Sequence, residues 1–115
     1  MYFLFMKIIN IDYKEDIVLG LQSVGVSKAS IIESKDLDKT LGNEMSLFTG
    51  FFKALGEREG EQLIVTALID SEDQAREFIQ NLKEAEVPLD TEDILRLIIW
   101  PVSATYEKDT GFIHH

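Results

Sequence analysis

Apolar residues in this chain fall into two rhythms, and the switch between them marks out the elements. The run Tyr2 to Ile11 is interrupted only by Lys7 and Asn10 and is rich in aromatic and β-branched residues, which predicts a first strand. From Lys14 to Val24 the spacing changes: Ile17, Val18, Leu21 and Val24 share one face of a helix. Asp12 stands where an N-cap belongs, Glu15 and Asp16 suit the positive end of the helix dipole, and Gly25 falls at the C-cap. Gly20 either weakens this helix or lets another element approach it closely. A second strand is predicted at Ala29 to Ser34, centred on Ile31 and Ile32, and a third at Glu61 to Ile69, which is almost continuously apolar. Ser71 and Gln74 have the spacing of a capping box, in which each side chain satisfies a backbone amide at the start of a helix. Ala75, Phe78, Ile79, Leu82 and Ala85 follow as the buried face of that helix. Pro88 marks a loop, a fourth strand spans Ile94 to Trp100, and Pro101 ends it because proline has no amide for the ladder. The remainder, Val102 to His115, reads as a polar, partly mobile tail.

The order is β-α-β-β-α-β within a single domain, 1–115. Right-handed crossovers then place two helices on one face of a four-stranded antiparallel sheet, a ferredoxin-like α+β fold. Strands one, three and four are apolar on both sides, whereas one layer of helices covers only one side. An uncovered apolar sheet face predicts a symmetric oligomer.

Composition narrows the function. Eleven basic and twenty-one acidic residues give a net charge of −10, which opposes binding to nucleic acid and to anionic membranes. The absence of cysteine removes disulfides, thiolate nucleophiles and zinc–sulfur sites. The apolar start has no basic flank and no small-residue cleavage site, and it is too short for a membrane helix, so a cytoplasmic protein is expected.

The connection between strands two and three is too long for a hairpin loop. Inside it, Asn43 to Gly56 has helical spacing, with Phe48, Phe51, Phe52 and Leu55 on one face. Two readings stay open: an amphipathic helix that docks into a partner, or one that packs on its own assembly.

These residues bring a family into view. The stretch Asn10 to Lys35, with its Val24-Gly25-Val26 turn and its Glu33-Ser34-Lys35 strand end, resembles the first helix and second strand of the P-II nitrogen-regulatory proteins. The resemblance implies that residues 36–60 are the family's effector-contacting loop and that the protein is a homotrimer. It implies a non-enzymatic regulator that senses a small ligand at subunit clefts and signals to a partner protein through that loop. Lys35, Lys39 and Lys53 become the candidate ligand contacts, and Phe48, Phe51 and Phe52 the apolar anchor for a partner.

The family's ATP chemistry carries over poorly. Its glycine-rich Gly-x-Gly-Arg-Gln stretch corresponds to Asp36-Leu37-Asp38-Lys39-Thr40, so two glycines have become aspartates and only Lys39 keeps a cation. Its second glycine-rich loop corresponds to the acidic, glycine-free segment Glu84 to Asp93. Near the chain end Thr110-Gly111 is present, but Glu107 and Asp109 stand in place of arginines. Bulk and charge in these positions oppose phosphate. The tyrosine that the family's loops offer for nucleotidylation has no counterpart within Asn43 to Gly56.

Other chemistry has little to stand on. Both histidines, His114 and His115, end the chain, so the serines lack an internal base, and no P-loop, Gly-x-Ser-x-Gly or His-Glu-x-x-His pattern occurs. No cofactor and no resident metal are expected. The carboxylates Asp90, Glu92 and Asp93 read as a solvated loop, and Trp100 as core or interface. The alternatives are a divalent-cation tolerance-type trimer, a purely structural interaction module of the same fold, and a small dimeric ferredoxin-like enzyme.

Overall fold

The computed structural model describes residues 1–35, 37 and 61–115. Strands β1 (Tyr2–Ile8), β2 (Ala29–Lys35), β3 (Glu61–Ile69) and β4 (Leu95–Pro101) form one sheet in the order β2-β3-β1-β4. All three neighbouring pairs are antiparallel. Helices α1 (Lys14–Ser23) and α2 (Glu72–Glu84) connect them. The fold is the expected ferredoxin-like one.

The registers sort the side chains by face. Leu4, Met6 and Ile8 of β1 lie beside Ala67, Val65 and Leu63 of β3 and beside Ile99, Leu97 and Leu95 of β4. These meet Ile17 and Leu21 of α1 and Ala75, Phe78 and Leu82 of α2 in the core. The other face carries Phe3, Phe5, Ile32, Ile64, Leu68, Ile98 and Trp100, by the same alternation. Ile32, Ile98 and Trp100 are exposed, and Phe3 stacks on Trp100 with ring centroids 4.8 Å apart.

The two helices touch through Gly20. A Cβ placed there would stand 3.0 Å from both Leu82 Cδ2 and Phe78 Cε2, so the close-approach reading of this glycine is the one realised. Gly25 has φ +84°, and the amides of Gly25 and Val26 donate back to the carbonyls of Gln22 and Leu21, closing α1 as a left-handed C-cap does.

Several boundaries differ from the sequence reading for local reasons. The first strand stops at Ile8, because the Ile9 and Asn10 amides both donate to the Ile94 carbonyl, at 2.8 and 3.2 Å. Asn10, not Asp12, is the capping residue: its Oδ1 accepts from the Asp12 amide at 3.0 Å and starts a 3-10 turn, Ile11–Tyr13, ahead of α1. The second strand runs one residue further, to Lys35, and the fourth is shifted to Leu95–Pro101. Pro101 fits because it ends an edge strand.

At α2, Ser71 Oγ accepts from the Gln74 amide at 3.3 Å. Gln74 Oε1, however, accepts from Asp70 rather than from Ser71, at 2.8 Å, and its Nε2 donates to the Val24 carbonyl at 2.8 Å. One side chain thus secures the start of α2 and the end of α1. Ala85 is exposed, since it is the C-cap rather than part of the buried face.

The chain end, expected as a polar tail, carries two strands. It forms a hairpin of β5 (Ala104–Glu107) and β6 (Gly111–His114), turned at Gly111 with φ +67°. Tyr106 and Phe112 stack across it at 5.2 Å, and Thr105 Oγ1 and His115 Nε2 lie 2.9 Å apart. Alternation of Thr, Tyr, Phe and Ile around a Thr-Gly turn supplies the strand pattern that polarity alone concealed.

Candidate functional site

The ends of β2 and β3 frame a cleft of about 310 Å³, at the point where the 36–60 connection leaves the sheet. Antiparallel pairing sets Lys35 opposite Glu61 and Glu33 opposite Leu63. Alternation places these four on the helix face, while Ser34 and Gln62 point to the other side of the sheet. Ser34 Oγ donates to the Gln62 carbonyl at 3.4 Å, joining the two strands at the mouth. Ile11 closes the cleft from the 3-10 turn. Its described lining brings together one ammonium, two carboxylates, Ser34, Gln62, and an apolar wall of Ile11 and Leu63. Among the described residues, no histidine or arginine lines it.

Of the candidate contacts, Lys35 is in this cleft and exposed. Lys39 and Lys53, the aromatic residues Phe48, Phe51 and Phe52, and the Asn43 to Gly56 helix lie outside the described residues. Glu33, Glu61, Gln62, Leu63 and Ile11 were not singled out from sequence. Their signal was positional, since strand ends flanking a long connection must converge.

Behind Ile11, Tyr13 touches the acidic segment. Partial desolvation holds its phenol above the ordinary value, and the carboxylates of Glu92, Asp16 and Asp12 push it further, with a hydrogen bond to Glu92 favouring the protonated form. The acids of that segment are partly neutralised: Lys83 reaches Asp90 at 3.2 Å and Arg96 reaches Asp93 at 3.5 Å. Glu107 faces Lys28 at 3.6 Å. Such exposed pairs add little stability. Among the described residues, no three or more His, Cys, Asp or Glu side chains converge as a metal site would require. No described helix is long and apolar enough to cross a membrane.

A four-stranded antiparallel sheet with two helices on one face is the ferredoxin-like architecture. No family model matches the sequence. No curated protein matches it either. Solved structures do: a Thermus thermophilus protein, provisionally described as a PII-like signalling protein, superposes with a TM-score of 0.52 over 86% of this chain and 82% of its own. Identity is 11%, so the likeness is one of fold.

Proposed function

We propose that the protein is a non-enzymatic PII-like regulator, a homotrimer built by packing the open sheet faces together. A small ligand binds at the β2–β3 cleft, and residues 36–60 carry its binding state to a partner protein. Lys35, Lys39 and Lys53 are the ligand contacts, and Phe48, Phe51 and Phe52 the anchor for the partner. The reading is carried by one observation: Lys35 lies in a cleft at the root of the long connection. There, binding and the conformation of the connection are mechanically linked, as an order–disorder switch requires. The carboxylates of Glu33 and Glu61 beside Lys35 weaken the case for a polyphosphate ligand, in keeping with the aspartates at 36 and 38.

A thermal-shift screen with adenine nucleotides, 2-oxo acids, bicarbonate and divalent metals, run beside a mass measurement, tests this. A ligand at a hundred times its Kd adds about 2.7 kcal/mol of stability. A shift that disappears in Lys35→Ala supports the site, and a panel that shifts nothing removes its small-molecule arm. Stabilisation by metal alone, lost when Asp90 or the terminal histidines are replaced, favours the divalent-cation alternative. A dimeric mass favours the enzymatic one.

A further inference from the structure

Among the described strand residues, the open sheet face carries no acid. The chain has twenty-one acidic residues, but the carboxylates within the four strands, Glu33 and Glu61, fall on the helix face by alternation. The charged side chains of the open face are Lys7 and Arg96, both basic, and the β1–β4 register sets them directly opposite each other. Arg96 is answered by Asp93 at 3.5 Å. Lys7, which is partly buried, has no ion pair among the described residues. It is also the charge that interrupts the apolar first strand, and the β2–β3 cleft makes no use of it. Its strand is an inner one, so the Lys7 stem rises between Ile64 and Arg96 rather than at a sheet edge.

We propose that the Lys7 side chains of three copies converge on the symmetry axis of the assembled protein and hold one small oxyanion of the phosphate or sulfate type. The inference rests on the reading of the protein as a trimer packed through its open sheet faces. Three-fold symmetry brings equivalent residues of an inner strand together around one axis, so like meets like. Three ammoniums gathered there repel one another, and a charge withdrawn from water without a partner is costly. The packed faces offer no described strand carboxylate to offset them, and Asp93 already serves Arg96. A bound anion removes the conflict. Three oxygens of a tetrahedral oxyanion match three converging ammonium donors, and hydrogen bonds between charged partners are the stronger kind. Lys7 stands one residue from the end of β1, so the ring forms at one end of the packed faces, where an anion can enter. The site is distinct from the β2–β3 cleft, because Lys35 stands on the helix face. A cleft also recurs in every chain, whereas the axis occurs once per trimer.

Phosphate titrated against chloride at constant ionic strength tests the site, with mass followed by light scattering. In the unmodified protein, phosphate is expected to raise the melting temperature saturably and to lower the protein concentration at which the assembly dissociates. Equilibrium dialysis with labelled phosphate is expected to count about one anion per three chains, as a site on the axis requires. Lys7→Met keeps the apolar stem and removes the charge, so it should assemble without phosphate and show no response to it. The dialysis count needs no variant and therefore stands whether or not Lys7→Met folds. A trimer that does not distinguish phosphate from chloride, or a Lys7→Met trimer that responds as the parent does, overturns the anion site and leaves the trimer standing. A count of about one phosphate per chain places the anion in a site that each chain repeats and likewise overturns the axial one. A monomeric mass under every condition overturns both the site and the trimer.

Discussion

Gly20 shows how one missing methyl sets the distance between two helices. Alanine there would recover about 1 kcal/mol of helix propensity. The added Cβ, however, would meet Leu82 and Phe78 at 3.0 Å, and both side chains are fully buried and cannot retreat. Overpacking of this kind costs about 1–3 kcal/mol, so Gly20→Ala is expected to be net destabilising and Gly20→Val more so, read from urea midpoints. Gln74 is the polar counterpart. Gln74→Ala removes the acceptor for Asp70 and the donor to Val24, for an expected loss of about 1–3 kcal/mol. Gln74→Glu keeps the first bond and loses the second, so its stability should fall between the two. For Tyr13, the folded phenol titrates above the unfolded one. Its contribution is therefore complete below the unfolded value near pH 10 and is lost as pH rises through the folded value. Melting temperatures of Tyr13→Phe should accordingly decline less steeply than those of the parent protein above pH 10.

At the scale of elements, the periodicities were the reliable part of the sequence. The 3.6-residue spacing of Ile17, Leu21, Phe78 and Leu82 and the apolar density of Leu63 to Ile69 specify helices and strands directly, because each pattern commits a face to the core. Hydrogen bonds that bridge distant segments left no such trace. The end of β1 is decided by the Ile94 carbonyl, far away in sequence, and the reach of Gln74 to Val24 crosses from one helix to the other. The hairpin at the chain end was concealed because its polar residues outnumber its apolar ones, although Tyr106 and Phe112 stack across it. In the candidate site only Lys35 was legible. Glu33 and Glu61 are unremarkable charges until pairing brings the strand ends together.

For the whole molecule, the decisive conflict is between apolar attraction and charge. Each copy brings a net charge of −10 to any assembly, and the open sheet face must overcome that repulsion. Added salt screens it, with a Debye length of about 10 Å at 0.1 M. The proposed trimer is therefore expected to dissociate more readily at low ionic strength, a dependence measurable by light scattering across a salt series. Ile98→Asp, on the exposed centre of that face, should yield a monomer with an unaltered circular dichroism spectrum. A folded trimer from this variant would place the interface elsewhere.

The stack of Phe3 on Trp100 has an optical consequence. Trp100 is the only tryptophan in the chain, and it stands 45% exposed on the face assigned to assembly. Its indole should emit at long wavelength when the face is wet and shift to the blue when a neighbour excludes water. The protein thus carries its own unlabelled reporter of association, so a dilution series followed by fluorescence can be read beside the mass measurement.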